Sequence, residues 1–401
     1  MKSARKPSDS KLAKNLGERN DCPVANVCGG CSYAGRTYFE QAVAKEKRVT
    51  RLISPFCEVL PLYHCENPFF YRNKVHSQLK KLKDGRILVG PYEAGSHHIV
   101  EVESCLIENQ TASAIIRDCA RLAAKYKVSI YDEVKGKGDL RRILVRTADA
   151  TGEVMVVLVI GSRYFNRKLA FSDELLKLHP EITTLLININ QRHDSMILGS
   201  GEVKKIKGNG YITDVILGKE FRVSADSFMQ SNRSQAEILY SEAIRLAGFK
   251  GDEVCIDTYC GTGSTTLSFA DYVGSITGVE IKNAAYKDAI KNAEINNVGN
   301  AEFILGDATK YMEEAARSEA KVDVVILDPT RAGTTKEFIK ACGKLAPSKI
   351  LYISCCPETL ARDLKGFIKQ GYEATIAEPV DMFPWTDKIE VITLLQRAQN
   401  P

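Results

Sequence analysis

The 401-residue chain has no apolar run near the ~18–20 residues that a membrane span requires. Its N-terminus is polar, with no hydrophobic core of a signal peptide, which predicts a cytoplasmic protein with no membrane partner. No internal repeat or low-complexity block is present, which argues against a solenoid or a disordered scaffold. Hydrophobic residues at 44% and charged residues at 26% are ordinary for globular domains, and the length suits two or three of them.

Cysteine, by contrast, is plentiful. Twelve cysteines in a reducing compartment point to metal binding or catalysis rather than to a disulfide framework. Cys119, Cys255 and Cys342 lie in apolar surroundings and read as small core residues. The segment "CPVANVCGGC" is different, because it supplies Cys22, Cys28 and Cys31 within ten residues. A fourth thiolate from Cys57, Cys65 or Cys105 would complete either a zinc or an iron–sulfur site. A thioredoxin-like reading of "CGGC" is weaker, since no βαβ pattern surrounds it.

The net charge is +5, unevenly spread. Residues 1–20 carry six Lys/Arg against two Asp/Glu and read as a flexible basic tail. Basic runs at 71–86 and 135–146 include Arg72, Asn73, Lys74, Arg141, Arg142 and Arg146, a pattern suited to a phosphate backbone. Residues 36–54 have helical periodicity, and residues 60–225 read as mainly β. The expected organisation is the tail, a β-rich domain over 21–225, and a second domain over 226–401.

In that second domain a helix at 227–247 precedes seven short apolar runs separated by helical stretches. This alternation predicts an α/β, Rossmann-like, mostly parallel seven-stranded sheet with ligands at the C-terminal strand ends. "EVCIDTYCGTGSTT" (253–266) is a strand, an acidic residue and a glycine turn, and Glu280 follows Gly261 by 19 positions. A carboxylate there can accept both ribose hydroxyls of an adenosine cofactor. The dinucleotide fingerprint is incomplete, because Thr266 replaces its third glycine and Asp257 would repel a pyrophosphate. S-adenosylmethionine, a cation without phosphate, suits the acidic turn better. Asp307 and Asp328 fall on the same rim.

The motifs "SADSFMQSN" (224–232), "DTYCGTGS" (257–264), "DPTRAG" (328–333), "SCCPETLARDL" (354–364) and "MFPWTDKIE" (382–390) occur in an order that resembles the RNA (uracil-C5)-methyltransferases. The resemblance implies a class I methyltransferase domain. It also implies S-adenosylmethionine held by Gln230, Tyr259, Ser264, Glu280, Asp307 and Asp328, with Cys355 as nucleophile and Glu390 as general base. The N-terminal cysteines resemble the iron–sulfur branch that acts on 23S rRNA, which implies a [4Fe–4S] cluster on Cys22, Cys28, Cys31 and Cys105. That branch often carries an N-terminal RNA-binding β-barrel, which the roughly 20 polar residues before Cys22 do not supply. The expected protein is a monomer acting on RNA, 23S rRNA before tRNA. A catalytically degenerate iron–sulfur protein that binds RNA or senses redox state is the rival.

Three positions depart from the family pattern: Thr330, Cys356 and Lys388 stand where Pro, Asn and His are usual. With Pro357 opening a helix, position 356 becomes the N-cap, where Cys is a poor acceptor. The same helix N-terminus is expected to favour the Cys355 thiolate.

Overall fold

The computed structural model describes residues 16–194, 196–201 and 203–398. The expected tail lies largely outside them, although Arg19 already bridges to Thr37. In chain order the strands are β1 (Glu58–Val59), β2 (Lys74–Lys81), β3 (Ile87–Gly90), β4 (Leu140–Thr147), β5 (Val154–Ile160), β6 (Ile182–Ile189), β7 (Val203–Lys207), β8 (Tyr211–Ile216) and β9 (Lys219–Ser224). They continue as β10 (Val254–Thr258), β11 (Ser275–Glu280), β12 (Ala301–Leu305), β13 (Val324–Leu327), β14 (Lys349–Ser354), β15 (Tyr372–Val380) and β16 (Glu390–Arg397).

The expected strands β10 to β16 form one sheet, ordered β1-β15-β16-β14-β13-β10-β11-β12. Its strands are parallel except β16, which runs antiparallel to β14 and β15. The sheet has eight strands rather than the seven expected, because β1 pairs in parallel with β15. The helix Tyr38–Ile53, started by a capping box between Thr37 and Glu40, leads into β1. It buries Ala42, Val49 and Ile53 in one core with Phe338, Leu364 and Leu395 of the C-terminal half. Packing therefore links this helix to the 226–401 unit, while its Tyr38 also packs with Cys65, Tyr71 and Ile107 of the 21–225 segment.

The remaining strands form a six-stranded sheet, β3-β2-β4-β5-β6-β7, and the hairpin β8-β9. The expectation of a mainly β segment missed two helices, Gln110–Lys125 and Lys168–Leu178. The first has an amphipathic face that buries Ile115, Ile116 and Cys119 against Val75, Ile143 and Val145. The second connects β5 to β6, which are parallel neighbours and so need a crossover. The hairpin docks on the other half: Arg222 N donates to Asn292 Oδ1 at 2.7 Å and Ser224 Oγ to Asp288 Oδ1 at 2.9 Å. One apolar cluster runs from Met155 and Leu186 through Phe221 and Leu239 to Ile276 and Ile353, tying the two sheets together. Cys119, Cys255 and Cys342 are buried, as expected of core residues. Among the described residues no helix is long and apolar enough to cross a membrane.

Candidate active site and cysteine cavity

The adjacency of β14, β13, β10, β11 and β12 brings their C-terminal ends to one rim. There β10 turns through Tyr259, which holds the left-handed φ of 77° that bulky residues avoid. Gly261 and Gly263, at φ 58° and 81°, complete the turn into the helix Ser264–Ala270. Ser264 Oγ lies 3.1 Å from Tyr240 Oη, and Tyr259 Oη lies 3.3 Å from Thr334 Oγ1. Glu280 ends β11 and is locked by the backbone: Gly261 N donates to its Oε2 at 3.0 Å and Lys282 N to its Oε1 at 2.6 Å. Asp307 caps the helix Ala308–Arg317 through a 3.0 Å bond from Lys310 N. Gln230 is buried, and its carbonyl accepts from Asn73 Nδ2 at 3.3 Å.

Carboxylates dominate this rim. Burial raises Asp257 to about 7 despite a 2.6 Å bond from Thr266 Oγ1, with the charges of Asp328 and Glu280 adding to the effect. Burial likewise raises Asp328 to about 7. The second oxygen of Asp257 is buried with no hydrogen-bond partner. An unneutralised acidic rim is a donor set that fits a cationic cofactor with a ribose diol, and not a pyrophosphate.

Cys355 follows β14, and Ser354 pairs with Val391 at the start of β16, which brings Cys355 within reach of the Glu390 charge. Glu390 is 3% exposed, and its Oε2 is buried without a partner. Burial drives its pKa well up, with Asp328 adding and Arg331 opposing. Burial also pushes the Cys355 thiol up to about 12, again with Glu390 and Asp328 adding and Arg331 opposing. The thiolate expected from the helix N-terminus is therefore not favoured here, because burial and two carboxylates outweigh the helix end. The helix does begin at Pro357 with Cys356 as N-cap, and Cys356 makes no side-chain capping bond. Arg331 was not singled out in the sequence, although it is the only arginine of "DPTRAG".

The N-terminal cysteines converge. Cys22, Cys28, Cys31 and Cys105 line a single cavity of about 370 Å³, whereas Cys57 and Cys65 do not line it. Burial raises Cys31 to about 11, and Cys22 and Cys28 are close enough to add to the rise. Asn20, fully buried beside them, leaves its Nδ2 without a partner. Among the described residues no three His, Cys, Asp or Glu side chains close in on a single ion. Four thiols lining one cavity are chemically able to ligate either a zinc ion or an iron–sulfur cluster.

The expected RNA surface is only partly available. Arg141 is 3% exposed, forks onto Glu133 at 2.8 and 2.6 Å and donates to Asn190 O at 3.0 Å. Arg142 is 5% exposed and donates to Met196 O at 2.8 Å. Arg146 is 4% exposed and is held by the carbonyls of Ala225 and Ser227. These three arginines are structural donors to loop carbonyls rather than phosphate contacts. Asn73 is buried as well, while Arg72 and Lys74 are only partly buried, lining the cysteine cavity. Burial, with Arg146 adding, lowers Lys74 to about 7.

With this geometry in place, comparison with known proteins is specific. The profile of the tRNA (uracil-5-)-methyltransferase family matches residues 177–398. An uncharacterized RNA methyltransferase of Clostridium tetani is 38% identical over 378 residues, covering 93% of this chain and 82% of the relative. One from Bacillus cereus is 35% identical over 385 residues, covering 95% and 83%. The crystal structure of Pyrococcus abyssi tRNA (uracil-54, C5)-methyltransferase in complex with S-adenosyl-L-homocysteine is similar with a TM-score of 0.74 at 26% identity, covering 90% of this chain and 83% of that one. The chain therefore belongs to the S-adenosylmethionine-dependent RNA (uracil-5-)-methyltransferase family.

Proposed function

We propose that the protein methylates C5 of a uridine in RNA through a covalent bond between Cys355 and uracil C6. The observation that carries this reading is the proximity of Cys355, just after β14, to Glu390, the first residue of β16, beside the acidic rim. Uracil C5 is a weak nucleophile. Addition of the Cys355 thiolate to C6 creates an enolate with electron density on C5. Adenosylmethionine, held by Gln230, Tyr259, Ser264, Glu280, Asp307 and Asp328, supplies an electrophilic methyl group on a sulfonium. Glu390 then takes the C5 proton, the pair re-forms the C5–C6 double bond, and Cys355 leaves. A carboxylate with a raised pKa is a stronger base, and the positive charge of a bound cofactor on this rim would add to that of Arg331 in favouring the ionised forms of Cys355 and Glu390.

We propose a [4Fe–4S] cluster, with zinc as the alternative, on Cys22, Cys28, Cys31 and Cys105, which line one cavity. Anaerobic purification followed by metal analysis tests it; zinc without iron would reject the cluster. Those cysteines favour 23S rRNA as substrate, while the likeness to an archaeal tRNA enzyme favours tRNA. Mapping 5-methyluridine in both RNAs from a deletion strain decides, with loss confined to tRNA excluding the ribosomal reading. Of the basic residues singled out in the sequence, partly buried Arg72 is the one best placed to meet the RNA backbone.

A further inference from the structure

The loop 381–389, which leads from β15 directly into Glu390, is held from outside by residues 33–71. Asp381 accepts from Tyr38 Oη and Gln41 Nε2, each at 2.8 Å, and from Lys45 Nζ at 2.6 Å. Lys45 also reaches Phe383 O at 2.9 Å, Tyr71 Oη donates to Pro384 O at 2.9 Å, and Arg48 donates to Asp387 O at 2.7 Å. Trp385 is the keystone. It is fully buried at a left-handed φ of 68°, and every polar group of its backbone and ring is taken. Its N–H donates to Gln41 Oε1 at 3.0 Å, its Nε1 to Pro68 O at 2.8 Å, and its carbonyl accepts from Tyr33 N at 3.0 Å. Tyr33 lies two residues beyond Cys31, and Cys31 and Cys105 both pack on the apolar cluster around Trp385.

We propose that the cysteine module positions the general base, its order passing through Tyr33 and Trp385 into loop 381–389 and so to Glu390. The inference rests on the assignment of Cys355 and Glu390 given above. It predicts a step-specific effect. Cys355 follows β14 and lies outside loop 381–389, whereas Glu390 directly continues that loop as the first residue of β16, so C6 addition depends less on the loop than proton removal does. Proton removal does: the C5–H bond breaks toward Glu390, its electrons form the C5–C6 double bond, and the C6–S bond breaks to return a thiolate. A displaced Glu390 therefore leaves the methylated RNA attached to Cys355. Trp385 is in this sense a positioning residue.

The test uses the full-length protein as purified, the same protein after chelation, and Trp385→Phe with its metal intact. The probe is total RNA from a strain deleted for the gene, with a labelled methyl donor. Trp385 is the single tryptophan of the chain, so its emission reports the loop directly. Chelation is expected to shift that emission to the red and to raise the ratio of bound adduct to released product by roughly tenfold, the scale of a small misplacement at a reacting group. Trp385→Phe should move the ratio in the same direction while adduct formation stays near the wild-type rate. Equal loss of formation and release, or an unchanged ratio in Trp385→Phe, overturns the inference. If chelation unfolds the protein by circular dichroism, Trp385→Phe alone decides. A wild-type protein that forms neither adduct nor product instead overturns the functional assignment itself, and this inference with it.

Discussion

Lys45 and Asp381 form a 2.6 Å ion pair in which neither side chain is exposed. The charges come from the N-terminal helix Tyr38–Ile53 and from the loop ahead of Glu390, so the pair fastens one half of the chain to the other. Its surroundings satisfy the carboxylate with the Tyr38 and Gln41 donors as well. Removing one partner strands a buried charge. Lys45→Ala should therefore cost about 3–5 kcal/mol, read as a lower urea midpoint.

Cys356 separates from its neighbour by role. It is the N-cap of the helix Pro357–Ile368, but its Sγ reaches only the Glu358 carboxylate at 3.5 Å and accepts no backbone N–H of the first turn, where Asn would. Cys356→Asn should keep methylation and add about 1 kcal/mol of stability. Cys355→Ala should abolish turnover. If Cys356→Ala is the inactive variant and Cys355→Ala is not, the nucleophile is misassigned.

The Cys355 thiol, pushed up to about 12, should be sluggish toward iodoacetamide at pH 8 in the cofactor-free protein. Adenosylmethionine should speed alkylation of the Cys355 peptide, because its positive charge offsets Glu390 and Asp328. Adenosylhomocysteine, lacking that charge, should speed it far less. Peptide mass spectrometry reads the difference, and equal effects of the two ligands would contradict the electrostatic argument.

Asp257 gives a pH signature of stability. Its folded pKa of about 7 exceeds the ordinary 3.8, so the folded state holds the proton more tightly. Stability from this group is fully present below about pH 4 and is lost as pH rises toward 7. Thermal melts should show Asp257→Asn losing less stability than wild type between pH 5 and pH 8. Parallel curves for the two proteins would show that Asp257 ionises normally in the fold.

The C-terminal half was legible because each strand from β10 to β16 is a short apolar run bracketed by turn residues, the signature of a sheet covered on both faces. β1 was not legible, since two residues carry no periodicity and pair with a strand more than 300 positions away. The helix Gln110–Lys125 was hidden in a stretch taken for β, although Asn109 caps it and Ile115, Ile116 and Cys119 share its buried face. Arg142 and Arg146 misled for a clearer reason. Basic residues four apart share one face of a strand and normally reach water, but here the carbonyls of Met196, Ala225 and Ser227 cover that face of β4. The convergence of Cys105 on Cys22, Cys28 and Cys31 was expected only from family likeness, because nothing local in "VEVESC" distinguishes it from Cys57 or Cys65. The raised Cys355 thiol could not be read at all, since it depends first on burial by the folded chain and then on Glu390 and Asp328 arriving from other strands.

The central claim is the covalent Cys355 adduct, and RNA carrying 5-fluorouridine tests it most directly, because fluorine at C5 cannot leave as a proton and so blocks elimination. Incubated with adenosylmethionine, the wild-type protein should form a denaturation-resistant RNA complex whose cross-linked peptide contains Cys355, and Cys355→Ala should form none. A wild-type protein that binds adenosylmethionine yet traps no 5-fluorouridine RNA, or that traps it through Cys356, would contradict the account.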